Sequence, residues 1–306
     1  MSKAYVFTRY GGPETQAFVD VDRPSPGPGQ LLIAVRAAGV NPVDWKLRSG
    51  YRRPGDTGER AFPAVLGSEA AGEVVEVGEG VTAFAVGDEV FGTALTGGYA
   101  EYTLLPQTIA AHKPAALSYA DAATLPVAAA TAYDGVHQLA LPAGSTLLIT
   151  GAGGGVGVAA VQIAHALGLK VVGVAGAAKK EFIESLGAVH VASGDDWTAR
   201  VPAPVDAVYD LVGGDVLEAA AGLVSGPGRL ITAGASEEAV AALGGERVTR
   251  ARSTAVLEAV AELVLRGDLD PHVTSRYPLE QAGEALRAVE EGHARGKVVI
   301  EIEGAR

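Results

Sequence analysis

The chain has 306 residues, 48% of them hydrophobic and 20% charged, a globular composition with material for roughly two domains of ~150 residues. A formal net charge of −12 and a pI of 5.0 weigh against a nucleic-acid partner, because an acidic surface repels phosphodiester backbones. The absence of cysteine removes disulfides, thiolate metal sites and a cysteine nucleophile.

The opening stretch MSKAYVFTRYGG lacks the apolar core and small-residue cleavage site of a secretory signal, so the cytoplasm is the default expectation. RPSPGPGQ (23–30) reads as a proline-stiffened turn. LLIAVRAAGV (31–40), AAGEVVEVG (70–78) and DEVFGT (88–93) read as strands, so the first third is a mostly β unit. After Ser118 the texture changes to alanine-rich helix.

From Ser145 strands and helices alternate. STLLIT (145–150) is a strand and VGVAAVQIAHAL (156–167) a helix; KVVGVA (170–175) is a strand and KKEFIESL (179–186) a helix. VHVA (189–192), DAVYDLV (206–212) and RLITAG (229–234) complete a strand set. The pattern predicts βαβ units and a parallel sheet. TAVLEAVAELVLRG (254–267) is a further amphipathic helix. LEQAGEALRAVEEG then gives a helix and KVVIEIE a final strand, which suits a return to the first domain. Residues 145–169 carry no Asp, Glu, Lys or Arg, as a membrane span would. Buried strand and helix read the same way, and the glycines within would leave backbone groups unsatisfied in lipid.

Those glycines fall between a strand and a helix. Such a turn lets backbone approach a pyrophosphate, while the helix N-terminus offers unpaired N–H groups and partial positive charge. The strict GxGxxG spelling fails because position 156 is Val; the fit is A-x-G-x-x-G on Ala152, Gly154 and Gly157, with Gly155 and Val156 beside them. No GK[ST] follows, so a P-loop is excluded. An NAD site would place an acid about 20 residues beyond the glycines. Here LKVVGVAGAA (169–178) has none, and Lys179 and Lys180 follow Gly176. Cations at a helix start oppose its dipole, so a 2′-phosphate would explain them and favours NADPH. The plain alternative is two solvated lysines offset by Glu181. TGAGGGVG also fits the short-chain dehydrogenase glycine motif, yet no tyrosine has the lysine four residues on that those enzymes need.

Several words stand in order along the chain: GGPE (11–14), PGPGQLLIAVRAAGVNPVDWKLRSG (26–50), LGSEAAGEVVEVGEGV (66–81), FAVGDEVFG (84–92) and GGYAEY (97–102). LPVAAATAYDGV (125–136), GAGGGVGVAAVQIA (151–164), SLGA (185–188), DLVGG (210–214) and GHARGKVVI (292–300) continue the set. Together they resemble the zinc-independent quinone oxidoreductases of the medium-chain dehydrogenase/reductase superfamily over essentially the whole length. The resemblance implies an α/β protein. A GroES-like β domain (1–118 and 272–306) would carry the substrate chemistry, and a Rossmann domain with a doubly wound parallel sheet (119–271) would bind NADPH. It further implies a cleft between the two, and a homodimer. Zinc-dependent relatives have Cys where this chain has Asn41 and His where it has Ser68, and their four-cysteine loop has no counterpart. Six scattered histidines build no tetrahedral site either, so no metal is expected.

Without a Lewis acid, hydride addition to a quinone or an α,β-unsaturated carbonyl is easier than alcohol chemistry, since hydrogen-bond donors can stabilise a delocalised oxyanion. VNPVDWKLRSGY (40–51) concentrates donors: the Asn41 amide, the Trp45 indole, Lys46 and Tyr51. By resemblance Lys46 is the first candidate for the carbonyl-facing cation, supported by Tyr51, and Asn41 orients substrate or the nicotinamide ribose. Asp44 holds the loop or orients Lys46, while Trp45 suits core packing as well as a pocket wall. Thr131 matches a nicotinamide contact, Val212 and Gly234 sit at strand ends that line the cofactor, and Arg295 and Lys297 would close over its phosphates. Residues 235–253 are short and lack the usual apolar loop over the nicotinamide. Two alternatives stand beside a quinone/enone reductase: an enoyl or ketone reductase dedicated to one biosynthetic intermediate, and a non-catalytic NADPH-binding protein.

Overall fold

The computed structural model describes residues 1–52, 59–202, 204–224, 229–292, 294 and 296–303. The chain divides into two compact units, one of Met1–Val127, Arg252–Ala261 and His272–Arg306, the other of Ala128–Ala251 and Glu262–Pro271.

The first unit is built on the strand Gln30–Val40, whose LLIAV run is apolar and buried on both faces. It pairs antiparallel with Glu69–Val77, Tyr102–Pro106 and Lys297–Glu301. The last of these is the returning strand expected from KVVIEIE. Among the described residues this sheet has seven strands, and a second sheet joins Gln16–Val21, Ser2–Phe7 and Ala64–Val65. Leu31, Ile33 and Val35 meet Leu105, Val298 and Ile300 in the core, under Ala282, Ala285 and Leu286 of the helix Ala282–Glu290. The three- and four-residue spacing of those helix positions makes one apolar face. Each fully buried Leu, Ile or Val among them contributes about 1.5–3 kcal/mol. The GGPE turn is tied down by Arg48, 1% exposed, which donates to the Gly11 carbonyl and to both oxygens of Glu290.

The second unit holds a parallel sheet of six strands among the described residues. Numbered by their order in the chain, they run across the sheet as third, second, first, fourth, fifth, sixth. The first is Thr146–Thr150 and the fourth Ala207–Asp210, so the order reverses between them. That switch point opens at the strands' carboxyl ends, where open α/β sheets bind ligands. Leu148, Val172, Val208, Leu217 and Trp197 form part of its core.

One element differs from expectation. The strand expected to run to 212 stops at Asp210, because the Asp210 carboxylate accepts hydrogen bonds from the Val212 and Gly213 N–H groups and turns the chain. Residues 235–253 form a short helix, Glu237–Ala241, capped by Ser236, and the two-residue edge strand Glu246–Arg247. Among the described residues no helix is long and apolar enough to cross a membrane.

Candidate active site

In the second unit the strand Thr146–Thr150 ends at Gly151, whose φ of 66° few side chains tolerate. The chain turns through Ala152–Gly154 into the helix Gly155–Ala166. Gly157 packs that helix on the turn: a Cβ there would lie 2.3 Å from the Gly151 carbonyl oxygen and 2.6 Å from the Ala152 Cα. Only glycine permits the approach. Ala152 is fully buried beneath, while Gly154 is exposed and Gly155 and Val156 are half-exposed at the helix start. The first N–H groups of that helix have no partner within it and carry its positive dipole end.

A cavity of about 610 Å³ opens on this turn, lined by Gly151, Gly153 and Gly154, by Val174, Ala175, Gly176 and Lys179, and by Ser193, Gly194, Trp197, Val212, Asp215, Val216 and Ala219. Mostly apolar walls beside a run of backbone donors suit an adenosine with its phosphates. Of the residues expected at the cofactor, Gly154, Gly176, Lys179 and Val212 line this one cavity, and Ala152, Gly155, Val156 and Gly157 shape the turn behind it. The Lys179 stem lies along Gly153 and its ammonium donates to the Gly153 carbonyl at 2.9 Å. Gly234 backs Val212, where a Cβ would come within 2.7 Å of the Val212 nitrogen. Thr131 is buried and does not line this cavity, and its carbonyl is held by the Tyr209 hydroxyl at 2.8 Å.

One residue behind the cavity escaped sequence reasoning. Asp210 is fully buried and accepts from the hydroxyls of Thr150 and Thr232 at 2.6 Å each, and from the Gly213 N–H at 3.0 Å. It thereby locks together the ends of the first, fourth and fifth strands. An acid closing an apolar strand run, as in AVYDLVGG, was the available signal.

The first unit contains a different kind of site. Asn41 precedes the helix Pro42–Arg48, whose start is set by Pro42 and by Asp44 reaching back to accept the Asn41 N–H at 2.9 Å. The Asn41 side chain also meets two buried charged groups. Its Nδ2 donates to Glu69 Oε1 at 2.7 Å, and its Oδ1 accepts from Lys297 Nζ at 2.6 Å. Lys297 also donates to Glu69 Oε1 at 3.0 Å and to the Val40 carbonyl at 3.2 Å. Glu69 Oε2 accepts from the Val127 N–H at 2.7 Å. Asn41, Glu69 and Lys297 are 3%, 0% and 4% exposed. The sheet makes room for them at Gly39, where a Cβ would lie 2.1 Å from Glu69 Oε1.

Asp44 sits beside this cluster, also fully buried, and accepts from Ser68 Oγ at 2.6 Å and the Tyr99 hydroxyl at 2.9 Å. Burial pushes its carboxyl above the usual range, against the pull of those hydrogen bonds. Burial, and then the Asp44 charge, push the Tyr99 hydroxyl well up. Asp44 therefore holds the loop.

This geometry corrects the expectation for Lys297. Its ammonium is committed to three buried acceptors within the β unit, so it does not close over cofactor phosphates. Arg295 lies outside the described residues. Lys46 is exposed, its ammonium 5.7 Å from the centre of the half-buried Trp45 ring. Tyr51 is 42% exposed, and its N–H donates to the Lys46 carbonyl. Glu69, an acid inside the small apolar run LGSEAAGEVV, was the second residue that sequence reasoning missed.

Residues 27–115 match the alcohol dehydrogenase GroES-like domain and residues 186–300 the zinc-binding dehydrogenase family. A chloroplastic quinone-oxidoreductase homolog of Spinacia oleracea is 32% identical over 95% of both chains. A 2-methylene-furan-3-one reductase of Solanum lycopersicum is 33% identical over 97% of this chain and 78% of its own. Among solved structures, a mycobacterial protein complexed with NADPH superposes with a TM-score of 0.86, at 30% identity, over 98% of this chain and 100% of that one. The second family's name implies zinc, and the residues here do not fit it. Asn41 and Ser68 are neutral, each is spent on a buried partner, and the Lys297 ammonium already sits against Asn41 where a metal cation would be repelled.

Proposed function

The chain belongs to the medium-chain dehydrogenase/reductase superfamily, among its quinone oxidoreductase-like members, and on that premise we propose that it transfers hydride from NADPH to quinones and α,β-unsaturated carbonyls. The observation that carries this reading is the buried Asn41–Glu69–Lys297 cluster. By the resemblance, position 41 is where the zinc enzymes carry a cysteine ligand, and this chain has there an amide held between two charged side chains. Hydrogen-bond donors alone serve an acceptor whose developing charge is delocalised, an enolate or a hydroquinone oxygen. The quinone-oxidoreductase and furanone-reductase names of two relatives support those two substrate classes.

NADPH, when bound, supplies the hydride. The chain's own residues do the rest. The Gly154–Gly157 turn and its helix N-terminus hold the pyrophosphate, and Gly176 lets the ribose approach the end of its strand. Lys179 leaves the Gly153 carbonyl for the 2′-phosphate, an ion pair in place of a contact to an uncharged acceptor. Thr131, Val212 and Gly234 bound the nicotinamide. Asn41 donates to the acceptor's carbonyl oxygen, with Lys46 on the helix that follows it and Tyr51 just beyond that helix as outer donors. The same reading makes the protein a cytoplasmic homodimer, which sedimentation velocity would check.

The test is NADPH oxidation with 9,10-phenanthrenequinone and with a simple enone, in wild type and in Lys46→Met. Wild type should turn over both. Lys46→Met should lower kcat on the enone by about tenfold, less than a fully fixed donor would, with NADPH affinity unchanged. Tight NADPH binding without turnover of any acceptor would instead identify a nucleotide-binding protein.

A further inference from the structure

We propose that Lys297 and Glu69 are positioning residues that commit the Asn41 amide to a single orientation, with its nitrogen presented as the hydrogen-bond donor to substrate; the proposal rests on the hydride-transfer reading above. An asparagine amide can be turned over end for end, and the two orientations offer opposite chemistry to whatever it faces. Here the choice is forced. The Lys297 ammonium has only donors, so the atom 2.6 Å from it must be the amide oxygen. The Glu69 carboxylate has only acceptors, so the atom 2.7 Å from Oε1 must be the amide nitrogen. Turning the amide over would set nitrogen against ammonium and oxygen against carboxylate, both repulsive.

The partners of Asn41 are themselves fixed. Lys297 is held by the Val40 carbonyl and by Glu69, and Glu69 by the Val127 N–H and by the space at Gly39. At 4% exposure or less, water does not compete for these contacts. One Nδ2 hydrogen is spent on Glu69, which leaves the other as the group this amide can offer a carbonyl oxygen. An ammonium on the amide oxygen also draws density from the nitrogen, and low surrounding dielectric strengthens such a chain of bonds. A buried ion pair is weak evidence for stability on its own, because an apolar pair of like volume often does as well. Orientation of the amide gives this one a reason to exist.

Asn41 is the only asparagine of the chain, so protein labelled with [15N]asparagine shows a single pair of side-chain N–H signals. In wild type the two protons should be widely separated in shift and slow to exchange with solvent. Lys297→Met should bring them together and speed their exchange. Kinetics on an enone give the second reading, through Asn41→Ala, Lys297→Met and the two combined. Each single variant should lower kcat by about tenfold or more while NADPH affinity holds within about twofold. The combined variant should fall no more than about twofold below Asn41→Ala, because Lys297 acts through the amide. Multiplying losses would overturn the proposal, as would Lys297→Met that melts earlier yet leaves kcat and the amide signals unchanged. If Lys297→Met does not fold, Lys297→Met with Glu69→Gln removes both charges and takes its place. A wild-type protein inert to every quinone and enone would sink the hydride-transfer reading alone, and the amide spectrum would still decide the orientation.

Discussion

The glycine turn of the second unit presents backbone N–H groups, and its shape comes from side chains that are missing. The Asn41 cluster of the first unit presents one amide, and its shape comes from charged side chains packed out of water. The first can be disturbed by adding an atom, the second by removing a charge. A dipolar backbone cradle costs little to desolvate, so it can stay open to a large ligand. A buried ion pair is held only by complete pairing, so it must be closed and filled.

The largest effect should come from breaking that pairing. Glu69→Ala leaves the Lys297 ammonium buried without its carboxylate and should lower unfolding stability by about 3–5 kcal/mol. Denaturant titration would read this. On the proposed reading the glycine turn of the other unit binds NADPH, so NADPH affinity should stay within about twofold. An equal loss in both measurements would erase the contrast between the two regions.

Next is the converse substitution. Gly157→Ala drives a Cβ into the Gly151 carbonyl and the Ala152 backbone, neither of which can swing aside. NADPH affinity should fall about a hundredfold, or ~2.8 kcal/mol, by calorimetric titration. Retained affinity would mean that the turn is only a tight connection.

Lys179→Ala tests the cradle's selectivity. A charge-assisted contact to a partly exposed phosphate predicts about a tenfold weaker NADPH, or ~1.4 kcal/mol, with NADH nearly untouched. Equal losses for both nucleotides would show that the lysine does not read the phosphate.

The smallest effect concerns pH. Burial holds the Asp44 carboxyl above its ordinary range, so it binds its proton more tightly folded than unfolded. Its contribution to stability is complete below the unfolded pKa and is lost as pH rises through the raised folded one. Asp44→Asn cannot ionise. Melting from about pH 4 to 7 should therefore show wild type losing ground to the variant as pH rises. Parallel melting profiles would show that Asp44 titrates as it does in the unfolded chain.

The two regions were not equally legible in the sequence. Strand Thr146–Thr150, the glycine turn and helix Gly155–Ala166 are consecutive, so period, glycine and capping signals coincide within about twenty residues. The returning strand was legible too, because KVVIEIE carries an unambiguous apolar run. Asn41 was visible as a candidate, yet its partners at 69 and 297 are brought to it by sheet pairing, which no local pattern encodes. Lys297 was misread for the same reason. Beside GHARG it looks like a surface cation, and only the register of Lys297–Glu301 against Gln30–Val40 turns it inward. Asp210 hid inside a strand pattern that it in fact ends.

The closing strand also sets an order on synthesis. Glu69 and Lys297 are separated by 228 residues, the whole second unit between them. At translation rates of about 5–20 residues per second, Glu69 waits roughly 11–46 s for its cation. Meanwhile the strands from Thr146 to Arg247 emerge as one nearly continuous block and can pair on the ribosome. A nascent chain halted before position 297 would thus carry the parallel sheet of its second unit together with a carboxylate lacking its counter-ion, and a first-unit sheet lacking one of the three partners of Gln30–Val40. Emergence of Lys297, and not the folding of any local segment, is the event that gives Glu69 its counter-ion.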